Sequence, residues 1–509
     1  MYLSLINHLG LKTQLDDLGN MSQPLWNTLN GRFMEMSNTG PLPFERMHRF
    51  AGHTNFIFLF LVPLYALWSD PRLLLIIQVL MASLGAMPLY LLGRKLLGEK
   101  SWLVLVGPVL YLLNPILHDA VLYDMHAIVV ALPFLLFSIY FLEAKNYRLF
   151  ALCAVLLALS KEDMPLIIAM LGIWHFVRTR DWKVSSIITS SGLIFFGFLI
   201  FIAMPFFRQN MPEQLISQRY EHVGGSVPGM ILTSLTRPQV LLTDMLAKGL
   251  LSYLHWMLLG FSYLPMLSPL SLAIVPTVLI NMLSGNPINS MPFGYYYPAP
   301  IIAIFSASTI YGLRRWKDQP LIKELSVKYL SVLVIVVAVV FSFWTSPVPF
   351  SKVSSWQEFQ PDPRWNEINY IKTLIPEEAS LAVQNNLGPH FVNREAIVRF
   401  PYRSSTSDYV LVDVTDPYPV LRDKPRQRNF IHITQLYPQD YYDSVIQVLE
   451  DTNYGVVYAG DGFLLFQRDA SRELNTAAYY TLKDRAKYYF TPYESIVGPV
   501  NYYLPSYLN

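Results

Sequence analysis

The chain has one cysteine, Cys153, among 509 residues, and only 15% of its residues are charged. A lone thiol cannot close an intramolecular disulfide, and it excludes a cysteine-rich metal site. Cys153 lies inside an apolar run and reads as a small buried side chain. Soluble globular domains carry about 25% charged residues. The low charge, with 53% hydrophobic residues and a mean hydropathy of +0.32, therefore points to a membrane protein. The charges nearly cancel, 38 Lys and Arg against 36 Asp and Glu, leaving +2. Nothing in that balance calls for a nucleic acid partner. Three further features are missing: a secretory signal peptide with a cleavage site, an internal repeat, and a G-x-G-x-x-G after a strand, so nucleotide binding is not supported. The first apolar run, "MYLSLINHLGL", is about half the length that a spanning helix needs. Either a first transmembrane helix is missing from the N-terminus or the chain begins on the far side; the first is expected.

Apolar runs suited to spanning helices fall at 72–93, 101–117, 126–142, 148–160, 164–177, 184–207, 248–266, 268–283, 296–312 and 327–345. Another, 54–68, is shorter, contains Pro63 and ends in "SDPR". It reads as an interfacial or re-entrant segment. Basic residues cluster in four loops: Arg94, Lys95 and Lys100; Lys145 and Arg148; Arg178, Arg180 and Lys183; Arg314, Arg315, Lys317, Lys323 and Lys328. With these spans all four fall on one side, the cytoplasmic one by the positive-inside rule. The connections 118–125, 161–163, 208–247 and 284–295 then face outward, as does everything after 345. Residues 12–53 face outward too if 54–68 does not cross.

After 345 the chain turns polar and Pro-rich, as a linker does. Then "SLAVQ", "AIVRF", "DYVLVDV", "YGVVYAG" and "GFLLFQR" read as strands, the last two joined as a hairpin through "GDG". "INYIKTL", a stretch near "LGPHFVN" and "YYDSVIQVLEDT" read as helices. The alternation predicts a small α/β domain with a partly parallel sheet. The tail 475–509 is Tyr-rich without periodicity. The expected organisation is a transmembrane domain over 1–345 and an extracytoplasmic α/β domain over 346–509.

Five polar clusters lie in the outward segments. Asp16 and Asp17 open "DDLGN", where an Asp can cap a helix or sit solvated in a loop. "RMHRFAGHTN" carries Arg46, His48, Arg49 and His53, either an interfacial basic flank or a site for a lipid phosphate. "LHDAVLYDMHAI" carries His118, Asp119, Asp124 and His126. Asp119, Asp124 and His126 have the mixed oxygen and nitrogen ligands of a divalent-cation site, but the same groups orient sugar hydroxyls or form an ordinary polar loop. "LALSKEDMPLI" places Lys161, Glu162 and Asp163 between two apolar runs, as phosphate-contacting groups or as side chains snorkelling to the interface. The loop 208–247, with Arg208, Arg219, Tyr220, Glu221, His222 and Arg237 around "HVGGSVPG", reads as a lid or as a flexible connection. The Tyr run 295–297 fits an interfacial aromatic belt.

The motifs "DDLGNMSQPLWNTLNG", "GHTNFIFLFLVPLYALWSDPRLLLIIQVL", "YDMHAIVVALPFLLF" and "SKEDMPLI" occur in this order. With "IPEEASLAVQNNLGPHFVNREAIVRFP" and "DYVLVDV", they resemble the DUF2079 family of predicted polytopic membrane proteins over most of 12–470. The arrangement is similar to that of the GT-C superfamily of membrane glycosyltransferases. That resemblance implies a GT-C-like α-helical polytopic membrane bundle with a C-terminal extracytoplasmic small α/β domain. It also implies a polyprenyl-phosphate sugar donor used on the outer face, and an acidic residue in the first external loop as base. Asp17 matches that position, and 54–68 matches an embedded helix. The sequence departs from the pattern in lacking a full first helix.

On this reading Asp17 is the general base, and Asp16, Arg46, Arg49, His53, Asp124, His126, Lys161 and Glu162 bind substrate. Arg46, Arg49, His53 and Lys161 would stabilise the leaving phosphate. Asp124, His126 and Glu162 would position the sugar or a divalent cation. The expected partners are a lipid-linked sugar donor and membrane lipids, in the plasma membrane of a prokaryote; the acceptor is not readable. Two other classes stay open: a transporter or flippase for a lipid-linked sugar, and a non-catalytic scaffold in envelope assembly. The charges sit mainly at helix ends, and without a repeat this disfavours transport.

Overall fold

The computed structural model describes residues 1–42, 45–99, 101–208, 218–319, 324–415 and 438–490. Lys100, Lys323, residues 209–217 of the long loop 208–247 and the end of the Tyr-rich tail lie outside the described residues. The chain divides into two compact units. One comprises Met1–Arg49, Phe60–Ile76 and Val353–Asn509; the other comprises Phe50–Leu59 and Ile77–Lys352.

The first unit opens with the helix Tyr2–Leu9, a π-helical turn Leu15–Gly19 and the helix Asn20–Leu29. A two-residue strand β1 (Glu35–Met36) pairs antiparallel with β2 (Met47–His48). The helix Val62–Leu67 has six residues and rises about 9 Å, too short to cross a hydrocarbon core of about 30 Å. Its Tyr65 hydroxyl lies 2.8 Å from Ser22 Oγ and donates to Asn393 Oδ1 at 3.0 Å.

All five expected C-terminal strands form: β3 (Leu381–Val383), β4 (Ile397–Arg399), β5 (Tyr409–Asp413), β6 (Tyr454–Gly460) and β7 (Phe463–Arg468). Their order is β4-β3-β5-β7-β6. β3 is parallel to β4 and β5, and β7 is antiparallel to β5 and β6. The sheet is thus partly parallel, as expected. Two residues, Asp461 (φ 47°) and Gly462 (φ 88°), close the β6–β7 hairpin. Positive φ at both central positions is what a twisted two-residue hairpin requires.

Strand alternation assigns the two faces. Val410 and Val412 pack with Tyr441 and Val445 of the helix Pro438–Glu450. Tyr409 and Leu411 pack on the other face with Ile368 and Ile371 of the helix Trp365–Leu374, and with Leu11 and Leu15 from the N-terminal segment. The tail contains a helix, Asn475–Phe490, that its pattern does not announce. Only Ala478 and Leu482 of its described residues join the core. Asn475 ties its start to β6, accepting from Val456 N at 2.8 Å and donating to Tyr454 O at 3.1 Å.

The second unit is helical. Pro71–Leu97, which belongs to this unit from Ile77 onward, Trp182–Arg208 and Ser326–Thr345 are long and apolar enough to cross a membrane. Trp102–Leu112 and Pro115–Leu122 form a pair bent by 49°. The bend falls where Pro115 removes a backbone donor, and Asn114 caps the new start by accepting from Ile116 N at 3.0 Å. Other expected spans are shorter helices: Ala127–Glu143, Tyr147–Ala158, Met164–Thr179, Leu250–Leu259 and Pro269–Leu283. Pro265, Pro269 and Pro276 divide 264–283 into two 3₁₀ turns and a helix. Ala299–Lys317 is buried from Ala299 to Leu313 and is the centre of the bundle. Exposed apolar side chains run along Trp182–Arg208 (Ile187, Ile194, Phe201, Phe206) and Ser326–Thr345 (Tyr329, Leu333, Val336, Phe343), surfaces suited to lipid.

Helices Met164–Thr179 and Trp182–Phe198 approach closely through two glycines. A Cβ on Gly172 would lie 2.6 Å from Thr189 N, and one on Gly192 would lie 2.5 Å from Pro165 O. At 1.5 Å per residue, Asp163 and Arg178 stand roughly 22 Å apart at opposite ends of one helix. At the Arg178 end, Arg178 pairs with Glu143 at 3.2 Å and Arg314 donates to Leu96 O at 3.0 Å. Tyr311, one turn before Arg314, donates to the same Glu143 at 2.9 Å, so the flanks of all four basic loops meet at that end.

Candidate functional site

In the first unit the acidic pair lies on the turn Leu15–Gly19. Leu15 is fully buried between Gly19 and Gly388, where Cβ atoms would come within 2.5 Å of it. Asp16 is half-buried and held on all sides. Its carboxylate pairs with Arg399 of β4 and accepts from Asn38 Nδ2 at 3.0 Å. Its amide donates to Asn385 Oδ1 at 3.1 Å, and its carbonyl accepts from Asn20 Nδ2 at 2.8 Å. Burial pushes the Asp16 carboxyl above its ordinary value, against the pull of Arg399 and Asn38. Asp17, also half-buried, follows on the same turn. Successive helical residues point roughly a quarter turn apart, and the Asp17 charge is close enough to add to the rise of the Asp16 carboxyl.

Arg46 pairs with Glu395 and lies 3.7 Å from Glu35; all three side chains are about 40% exposed. Exposed pairs of this kind contribute about 0–1 kcal/mol. Arg49 is buried and points Nη2 at Met21 Sδ, 3.2 Å away.

In the second unit the structure brings His53 to Glu162. His53 Nδ1 donates to Glu162 Oε1 at 2.8 Å, and Thr54 N donates to Oε2 at 3.3 Å. Two bonds beside them, Asn55 Nδ2 to Ser160 O (2.7 Å) and Ile57 N to Leu159 O (2.9 Å), tie 53–57 to 159–162. Lys161 Nζ donates to Asp163 Oδ2 at 3.1 Å. Burial pulls the Lys161 ammonium down, but Asp163 and Glu162 outweigh it and hold the group protonated above its ordinary range. Burial likewise opposes ionisation of Glu162, but His53 and Lys161 overcome it and bring its carboxyl down to about 2. The cluster is a built arrangement of fixed charges, with His53 and Tyr220 at its rim.

Asp124 and His126 belong to a third arrangement. Gln78, the lone amide of the run 72–93, accepts from His126 N at 2.7 Å and donates to the carbonyls of Val121, Tyr123 and Asp124. His126 Nδ1 donates to Asp124 O at 2.7 Å, and its ring stacks on Tyr296 at 3.4 Å between centroids. Tyr123 and Tyr295 complete an aromatic group around it. The Tyr run is thus packed against the His126 turn. Among the described residues no three His, Cys, Asp or Glu side chains are grouped to hold a metal ion, the candidates Asp119, Asp124 and His126 included. The physical reason is that Asp119 sits on the helix Pro115–Leu122 while the His126 ring faces a tyrosine and a carbonyl. His118 instead bonds Leu112 O at 2.6 Å and Ser346 Oγ at 2.7 Å, closing the bent pair.

The described part of the long loop 208–247 folds as a 3₁₀ turn, Gln218–Val223, and two helices, Val227–Thr236 and Pro238–Ala247. Ser226 caps the first helix and a proline stands in the first turn of both. In this loop His222 and Lys248 share Asp244, at 3.2 and 2.7 Å. Four residues that the sequence did not single out are Asn38, Gln78, Asn385 and Arg399. Gln78, an amide in an apolar run, carried a signal; the others did not.

A helical membrane bundle that carries a small partly parallel sheet and buried charge clusters at turns defines a polytopic membrane protein. The chain belongs to the family described as "Predicted membrane protein (DUF2079)", whose model matches residues 8–465. Two crystal structures of ArnT from Cupriavidus metallidurans are similar to it. The one bound to undecaprenyl phosphate is 12% identical with a TM-score of 0.48, over 92% of this chain and 96% of that one. The apo one is 11% identical with a TM-score of 0.48, over 91% and 95%. A likeness at this level carries no argument about activity. No curated protein matches the sequence.

Proposed function

We propose that this chain is a membrane glycosyltransferase that moves a sugar from a polyprenyl-phosphate donor to an extracytoplasmic acceptor, with Asp17 as general base. The observation that supports the reading is the family match over residues 8–465, with Asp17 at the position where the GT-C resemblance expects an acidic base. Asp17 lies on the turn Leu15–Gly19, and its neighbour Asp16 pairs with Arg399 and accepts from Asn38. In the step, an acceptor hydroxyl gives its proton to the Asp17 carboxylate. Its oxygen forms a bond to the anomeric carbon, and the bond from that carbon to the phosphate oxygen breaks. The electron pair leaves with the polyprenyl phosphate, and the anomeric centre inverts.

Such a leaving group needs cationic stabilisation. Within the second unit, Lys161 is a standing cation of the kind that binds phosphate, kept protonated by Asp163 and Glu162. Arg46 serves the surface pairs with Glu395 and Glu35 instead. His53 acts through Glu162, and no metal is assigned. The α/β sheet is proposed to lie outside the cytoplasmic membrane. The test is donor-dependent transfer by Asp17→Asn beside Asp16→Asn, in full-length protein.

A further inference from the structure

In parallel α/β sheets, ligands sit in the crevice outside the carboxyl ends of the strands, where the strand order reverses. Here β3 is followed in sequence by β4 on one side and flanked by β5 on the other, so the switch lies at β3. That edge is occupied by the chain's own N-terminal segment. Asn386 Nδ2 donates to Leu11 O at 3.0 Å, and Asn385 Nδ2 donates to Gln14 Oε1 at 3.3 Å. Leu15 N donates to Asn385 O at 2.8 Å, and Asp16 N donates to the Asn385 side chain. Arg399, the last residue of β4, closes the arrangement on the Asp16 carboxylate. Asn38 bridges the two, accepting from Arg399 N at 3.0 Å and donating to Asp16. Ser37 completes the open edge of β4, accepting from Ile397 N and donating to Ile397 O, both at 2.8 Å.

We infer that Arg399 is a positioning residue: through Asp16 it locks the Leu15–Gly19 turn onto the carboxyl edge of the sheet and so fixes where the Asp17 carboxylate stands. The sheet's binding edge is used to hold a segment of this same chain. For catalysis this rests on the reading of Asp17 as base; for the turn it stands alone. A single Nη1 bond joins Arg399 to Asp16, so a lysine can replace it where a bidentate pair would not allow that.

The test compares Arg399→Gln, Arg399→Lys and Asp16→Asn in full-length reconstituted protein. Backbone hydrogen exchange is followed over residues 14–20, together with kcat and KM for a radiolabelled polyprenyl-phosphate hexose. In Arg399→Gln, exchange over 14–20 rises at least about tenfold while the rest of the sheet is unchanged. The kcat falls about 10- to 100-fold, the size that a 1 Å misplacement produces, with donor KM within about twofold. Arg399→Lys restores most of both, and Asp16→Asn loosens the same amides. Unchanged exchange over 14–20 in Arg399→Gln and Asp16→Asn overturns the inference, as does a lysine variant no tighter than the glutamine one. Failure of the base reading shows separately, as full transfer by Asp17→Asn.

Discussion

His53 and Glu162, 109 residues apart in sequence, are joined by a 2.8 Å hydrogen bond that anchors the segment 53–57 against the turn 159–162. The Glu162 side chain is 12% exposed and that of His53 is 39% exposed. Glu162→Gln keeps the shape but removes the charge that faces His53 and Lys161. We expect it to lower stability by roughly 1–2 kcal/mol, a charged hydrogen bond discounted for the exposure of its partner. Thermal unfolding of purified protein measures this. An equal loss in Glu162→Gln and in the double variant Glu162→Gln, His53→Gln is expected, since the two residues act as one unit; additive losses would contradict the pairing.

A second pair predicts acid sensitivity in the first unit. The rings of His8 and His390 lie 4.1 Å apart between centroids, with Trp365 edge-on to both. Burial brings His8 down to about 3, with Asp70 opposing and Lys372 and Arg72 assisting. Burial, His8, Lys372 and Arg72 push His390 well down too. Both folded values lie below the ordinary 6.5, so the unfolded chain takes protons first. Stability is full above pH 6.5 and falls as pH drops toward 3. The apparent melting temperature should fall by roughly 4 °C between pH 7 and pH 5. His8→Phe with His390→Phe should flatten that slope; an unchanged slope would show that these rings are not responsible.

Gly388→Ala gives a steric test of the acidic turn. The added methyl would lie 2.5 Å from Leu15 Cβ, and Leu15 has no exposed surface into which to move. Overpacking of this kind costs about 1–3 kcal/mol. The expected result is a lower melting temperature together with faster hydrogen exchange at Leu15–Gly19. Wild-type exchange there would mean that Leu15 does not couple Gly388 to the turn.

Much of the C-terminal sheet was legible because its signals are local. "DYVLVDV" alternates between two buried faces, and Asp461-Gly462 supplies the φ values of its turn. The helices Val227–Thr236 and Pro238–Ala247 were hidden by the glycines before them, although Ser226 and the prolines marked both starts. The helix Asn475–Phe490 was hidden because so few of its residues face the core. At the candidate site, the polar residue types were readable but their partners were not. Asp16 and Arg399 are 383 positions apart, and no periodicity reports a contact of that separation. The same limit applies to Leu11 and Leu15, which read as part of a short apolar start and pack on the sheet.

The proposed orientation is checked by labelling. In a Cys153→Ala background, single cysteines at the exposed positions Glu450 and Asp318 are treated on intact cells with a membrane-impermeant maleimide. Label at 450 and none at 318 is expected if the sheet is outside and the basic end of the bundle is cytoplasmic. The reverse pattern would place the sheet inside and remove the extracytoplasmic acceptor.

The most direct measurement is sugar transfer by Asp17→Asn. Membranes containing the full-length protein receive a polyprenyl-phosphate hexose with a radiolabelled sugar, and release of polyprenyl phosphate and labelling of the acceptor fraction are followed together. The account predicts that Asp17→Asn, at wild-type abundance and melting temperature, loses about 100-fold or more of the rate, as removal of a general base does. Asp16→Asn should retain a measurable rate and lose hydrogen-exchange protection over the turn. Wild-type transfer by Asp17→Asn would contradict the central claim.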